Sequence, residues 1–227
     1  MRTELTISGK RCFIYENDTA DIFLLQAVGE HDLGTLDREA ELIKELAPDT
    51  PFTLAALLIE DWNHELSPWA APAVFGNEGF GTGAADTLRF LTNSLIPTLE
   101  EVYGHNGELT FYLGGYSLSG LFALWAAYQT DIFRGIAAVS PSVWFPGWEV
   151  YMESHPICTS KVYLSLGDRE EKTRNKMMSR VGDSIRRQHE VLCDDIRVKE
   201  CLLEWNAGNH FAEPEVRCAK GFAWLLK

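Results

Sequence analysis

The sequence contains no C-x-x-C pair, no H-E-x-x-H and no other close cluster of cysteine and histidine, so no dedicated metal site is expected. It has no run of about 18 apolar residues, which excludes a membrane-spanning helix. The opening Met1-Arg2-Thr3-Glu4-Leu5-Thr6 has no apolar segment of the kind a secretory leader needs. Cysteines are few and odd in number: Cys12, Cys158, Cys193, Cys201 and Cys218 are scattered and do not read as a disulfide framework. Without a leader they are expected as reduced thiols in the cytoplasm. Basic residues are also scarce, 20 against 33 acidic ones, for a formal charge of −13. That balance argues against nucleic acid and anionic membrane surfaces as partners, and disfavours a polyanionic substrate. There is no internal repeat and no low-complexity tract.

What is present is ample apolar content, 46% over 227 residues, enough for one domain spanning 1–227 with a substantial core. Apolar runs and amphipathic segments alternate along the chain. Strands are predicted at 11–15 (an edge strand), 21–28, 52–59, 109–113, 135–139, 161–166 and 198–205. Helices are predicted at 36–46, 84–103, 173–192 and 213–226, with Pro97 kinking or dividing the second and Gly104 ending it. Residues 60–83 hold two prolines, four glycines and two tryptophans. A loop of that length is commonly functional, so Trp62 and Trp69 are placed in the wall of a substrate pocket, with core packing as the competing reading. Strands separated by helices imply parallel β-α-β units in a doubly wound sheet, whose sites gather at the carboxyl ends of the strands.

Three strand ends carry complementary chemistry. After 109–113 comes Gly114-Gly115-Tyr116-Ser117-Leu118-Ser119-Gly120-Leu121, followed by an apolar helix-forming run. A serine flanked by tiny residues between strand and helix is the layout of a nucleophile elbow, in which the two backbones nearly touch. After 161–166 comes Gly167-Asp168-Arg169-Glu170-Glu171, which supplies an acid. After 198–205 comes Asn206-Ala207-Gly208-Asn209-His210-Phe211, which supplies a base just before the last helix. The order serine, acid, histidine is that of a hydrolytic triad on this kind of sheet. The remaining histidines, His31, His64, His105, His155 and His189, read as solvated or structural.

The residues Gly115-Tyr116-Ser117-Leu118-Ser119-Gly120-Leu121-Phe122-Ala123, Ser140-Pro141-Ser142-Val143-Trp144, Gly167-Asp168-Arg169-Glu170 and Gly208-Asn209-His210-Phe211 resemble the putative esterase family of the α/β-hydrolases, the group containing esterase D and the enterobactin-esterase-like enzymes. The resemblance runs from about residue 10 to the end of the chain. It implies an α/β-hydrolase fold, a doubly wound, mostly parallel sheet with helices on both faces and a minimal lid. It also implies hydrolysis of carboxylic esters or thioesters without a cofactor, and it places Trp144 in the pocket. Two departures from the pattern stand out: Ser119 replaces the second glycine of the elbow, and no His-Gly pair follows Val28.

An ester of a small molecule needs a serine whose proton is taken by His210 while a carboxylate fixes the imidazole. In α/β-hydrolases the acid usually stands three residues after the glycine, which selects Glu170. Asp168, suited to shaping the turn, and Glu171, at the start of the following helix, remain alternatives. The oxyanion hole is expected from the Leu118 backbone N–H and from a second N–H near Gly29, Glu30 or His31. The same triad could serve an acyltransferase, and a hydrolase scaffold that has lost catalysis could act as a binding module. Nothing in the sequence sets the oligomeric state.

Overall fold

In the computed structural model residues 2–74, 76–104 and 108–227 are described; His105 falls outside them. Eight strands form one sheet: β1 (Arg2–Ile7), β2 (Lys10–Tyr15), β3 (Ile22–Val28), β4 (Thr53–Leu58), β5 (Thr110–Tyr116), β6 (Phe133–Val139), β7 (Lys161–Gly167) and β8 (Glu200–Asn206). Their spatial order is β1-β2-β4-β3-β5-β6-β7-β8. β1 and β2 run antiparallel to their neighbours, and every pairing from β4 to β8 is parallel. This is the mostly parallel sheet that the alternation of strands and helices implied. β2, expected at the edge, is interior because β1 pairs outside it. β1 reads Arg-Thr-Glu-Leu-Thr-Ile and buries only Ile7, so it offers no hydrophobic run by which to find it.

The helices are α1 (Leu36–Leu46), α2 (Trp62–Glu65), α3 (Ala84–Phe90), α4 (Ile96–Tyr103), α5 (Leu118–Gln129), α6 (Trp148–Ser154), α7 (Val181–Asp194) and α8 (Pro214–Leu225). One face of the sheet packs on α1 and α8 through Leu36, Ile43, Phe222 and Leu225. The other packs on a larger layer that includes Leu91, Leu99, Phe122, Trp148 and Ile185. The predicted division at Pro97 is present as a π-helical turn, Leu91–Leu95, between α3 and α4, with Pro97 in the first turn of α4. Proline lacks an N–H and crowds the carbonyl four residues back, so the hydrogen-bond ladder widens just before it. The helix predicted over 173–192 forms only from Val181. Upstream, the Asn175 side chain accepts from the N–H groups of Met177 and Met178 and donates to the Val74 carbonyl, which holds that stretch as a loop.

Beneath the α1 face lies Glu39, 4% exposed, with Oε1 lacking a hydrogen-bond partner among the described residues. Burial pushes its carboxyl well above the usual carboxylate range, only partly opposed by Gln26 and reinforced by Asp32 and Glu215. A raised folded-state pKa favours the protonated carboxyl, so stability is greatest below the ordinary value near ~4.3 and declines as pH rises through the folded pKa. Glu39→Gln should therefore raise Tm at pH 8 by about 2–4 °C for each kcal/mol recovered, and leave Tm nearly unchanged at pH 4. Thermal melts of both proteins across that range provide the check.

Candidate active site

The turn between β5 and α5 puts Ser117 at φ 59° and ψ −120°, a conformation that side chains rarely adopt. The neighbouring backbone makes that turn possible. A Cβ on Gly115 would lie 2.0 Å from the Ser119 Oγ, so only glycine fits there. Ser119, the departure from the usual second glycine, is fully buried, and its hydroxyl donates to the Ala27 carbonyl at 2.7 Å. That bond satisfies the buried hydroxyl and ties the start of α5 to β3.

The strand-end residues converge. His210 Nε2 lies 3.0 Å from Ser117 Oγ, and His210 Nδ1 lies 2.7 Å from Glu170 Oε2. Of the three candidate acids, Glu170 makes this contact. Asp168 accepts from the Gly208 N–H at 2.8 Å and shapes the turn (Gly208 φ 104°) that presents the histidine. Glu171 pairs with Arg186 on the surface. Glu170 is 7% exposed, and its second oxygen, Oε1, accepts from the Gly167 N–H (2.7 Å), the Ser140 hydroxyl (2.8 Å) and Arg217 (2.9 Å). Burial alone would raise this carboxyl. The hydrogen bond and charge of His210, with Gly167 and Ser140, outweigh burial and hold it below the usual carboxylate range.

The Ser-Pro-Ser turn after β6 joins both halves of the site. Ser140, at φ 43°, donates to the acid, while Ser142 places its Oγ 3.5 Å from Ser117 Oγ and donates its N–H to the Ser117 carbonyl. Sequence reading singled out this turn but gave its serines no task. It passed over Arg217 altogether. This arginine is 2% exposed, bridges Glu170 Oε1, Ser140 Oγ and the Tyr116 hydroxyl, and also donates to the carbonyls of Ala207 and Asn209 in the histidine loop. Tyr116 donates in turn to the His210 carbonyl at 2.6 Å. The available signal was its place on the buried stripe of α8 beside Cys218 and Phe222.

Ser117 and His210 open into a cavity of about 380 Å³ whose walls include Trp62, Phe80, Trp144, Met178 and Phe211; Leu118, first residue of α5, lines it too. A larger depression of about 840 Å³ lies near Arg2, Tyr15 and Asp37, away from the serine and histidine. Two expectations need correction. Gly29 donates its N–H to Asp32 Oδ2 at 2.8 Å, because that carboxylate caps the short turn Glu30–Asp32, so Gly29 is not an oxyanion donor. Gly29 and Glu30 line an adjoining cavity that shares Trp62 with the first. Trp69 is not in the pocket wall. Its indole donates to the Pro146 carbonyl at 2.8 Å, and its ring stacks on Trp148 and packs against Phe145 and Tyr151. Trp69→Ala should cost about 2–3 kcal/mol of stability, less than the ~3–5 of a fully buried tryptophan, without reordering kcat/KM across a panel of esters. Trp144→Ala should reorder it, which comparative kinetics of the two variants would show.

The family model described as "Putative esterase" matches residues 23–211. No curated protein matches the chain by sequence. Among solved structures, a siderophore hydrolase, EstA, from Aspergillus nidulans is 16% identical with a TM-score of 0.73, the match covering 100% of this chain and 93% of that one. An IroE-like serine hydrolase from Shewanella oneidensis is also 16% identical, with a TM-score of 0.80 and coverage of 100% and 79%. The enterobactin esterase FES from Shigella flexneri is 15% identical, with a TM-score of 0.68 over 99% of this chain and 58% of that one. At such identities the structures establish a shared fold, and the family match extends over most of the chain. With its α/β-hydrolase sheet and its strand-end chemistry, the chain belongs to the putative esterase family and is a carboxylic ester hydrolase.

Proposed function

We propose that the protein cleaves carboxylic esters through a Ser117–His210–Glu170 triad and an acyl-enzyme intermediate. One observation carries this reading: the unbroken hydrogen-bond chain from Ser117 Oγ through both ring nitrogens of His210 to a buried Glu170, at the floor of an apolar cavity. His210 Nε2 accepts the serine proton as Oγ attacks the carbonyl carbon. Glu170 stays ionised and fixes the tautomer with the proton on Nδ1. The oxyanion is held by the N–H of Leu118, where the α5 dipole also favours negative charge, and by that of Glu30, each donor contributing about 2.7–4 kcal/mol to the transition state. His210 then protonates the departing alkoxide, and water attacks the acyl-enzyme by the same route in reverse.

The cavity's aromatic and methionine walls contain no lysine or arginine among the described residues, which favours a neutral acyl group of modest size. Substrates are therefore read as small neutral esters or thioesters, turned over without cofactor, nucleic acid or membrane. The unpaired cysteines fit a reducing compartment such as the cytoplasm. Among the described residues no helix is long and apolar enough to cross a membrane.

A fluorophosphonate probe at pH 7.5 should label Ser117 and no other serine. The companion measurement is turnover of p-nitrophenyl esters of graded chain length, with a thioester and a siderophore-type ester included. An unlabelled Ser117, or labelling elsewhere with turnover intact, would overturn the triad.

A further inference from the structure

Away from Ser117, the fold brings a cysteine of β8 to a histidine and a cysteine of α7. His189 and Cys193 stand four residues apart on α7, which places them on one face a single turn apart. Cys201 is the second residue of β8. The turn between helix and strand folds the chain back, and His189 Nε2, Cys193 Sγ and Cys201 Sγ come to share one spot. Cys193 Sγ is 3.5 Å from His189 Nε2, and the three donor atoms all lie within 4.8 Å of one another. We propose that His189, Cys193 and Cys201 bind one thiophilic divalent cation, of which zinc is the type.

The geometry suits that ion. A tetrahedral zinc with bonds of about 2.3 Å to sulfur and about 2.0–2.1 Å to nitrogen separates its ligands by about 3.5–3.8 Å. Small rotamer adjustments at the exposed Cys193 close the remaining gap. Two sulfurs and an imidazole select zinc-like ions over magnesium or calcium. The site lies along the last two turns of α7, near the carbonyl end of the helix, which favours a cation. Binding exchanges one divalent cation for two thiol protons, leaving a neutral complex of two thiolates and a neutral imidazole, with solvent completing the tetrahedron on the open side.

The site is a staple between helix and edge strand. Cys201 sits near the amino end of β8, while the catalytic loop leaves its carboxyl end, five residues and about 16 Å further on. Occupancy should therefore change stability and leave ester turnover alone.

The test is a cobalt titration of the reduced full chain. A thiolate-to-cobalt charge-transfer band should saturate at one equivalent, and zinc should displace it with release of about two protons per chain. Saturating zinc should raise Tm. Cys193→Ser, Cys201→Ser and His189→Gln should each weaken binding at least ~10–100-fold, the range already seen when outer-sphere groups are lost, with ester hydrolysis at the wild-type rate. The proposal fails if the wild-type chain, with its thiols titrated as free, gives no band. It also fails if the band survives Cys201→Ser, or if Cys193 and Cys201 form a disulfide in preference to binding.

Discussion

Ser117→Ala should reduce ester hydrolysis on the order of 10⁴–10⁶-fold while moving Tm by no more than a degree or two. The asymmetry follows from the local structure. The hydroxyl contacts His210 at 3.0 Å and Ser142 at 3.5 Å, and Ser117 itself is half-buried and opens onto the cavity, so its removal creates no void in the core. The unusual φ of 59° is equally costly for serine and alanine, so the turn gains nothing from the exchange. His210→Ala should be about as damaging, and the double variant no worse than either single one, because the two groups act as a unit. Rates and melts of the three variants decide the matter. An active alanine variant at position 117 would remove the nucleophile from the proposal outright.

Glu170→Gln should behave differently, losing activity and stability together. Glutamine keeps the shape but not the charge that stabilises the imidazolium, so kcat should fall on the order of 10⁴-fold with little change in KM. It also leaves Arg217, 2% exposed, without its carboxylate partner. Stranding one member of a buried ion pair costs about 3–5 kcal/mol, equivalent to a Tm lower by about 6–20 °C for a chain of this size. The pH dependence has a definite sign. A depressed folded-state pKa gives stability that is fully present above the ordinary carboxylate value near ~4.3 and is lost as pH falls through the folded one. The wild-type chain should therefore show an acid limb in its Tm profile that Glu170→Gln flattens. Asp168→Asn, which keeps an acceptor for the Gly208 N–H, should retain most activity. If Asp168→Asn collapses instead and Glu170→Gln stays active, the acid has been misassigned.

Much of this was legible because the information is local. The elbow needs small residues around Ser117 within a few positions, and the acid and base each follow a buried strand that hydrophobicity reveals. Spacing after Gly167 pointed to Glu170, with Asp168 and Glu171 left as alternatives, and Glu170 is the one that contacts His210. What escaped was set by distant parts of the chain. An arginine on the last helix reads as solvent-facing until the β5, β6 and β7 loops are seen to close over it. Trp69 in a long loop resembles a pocket residue because nothing nearby in sequence announces Pro146 and Trp148. β1 buries almost nothing and is a strand only because β2 is there to pair with. The ligands at 189, 193 and 201 have no recognisable spacing, since a turn between helix and strand brings them together.

The position of β8 has a consequence for how the enzyme wears out. It is the edge strand on the catalytic side of the sheet, half-exposed along most of its length, and the loop that presents His210 hangs from its end. Arg217 and Tyr116 clasp that loop to the interior, whereas β3 to β6 are sealed on both faces. The edge at β8, with the loop it carries, should therefore open more readily than β3 to β6, while the sheet's centre and α8 stay protected from amide exchange. Heating should silence turnover before it melts the molecule, and cooling should restore it so long as the centre has held. The half-life of activity is then a property of one clasp at the rim, and adding stability to the core would do little to lengthen it.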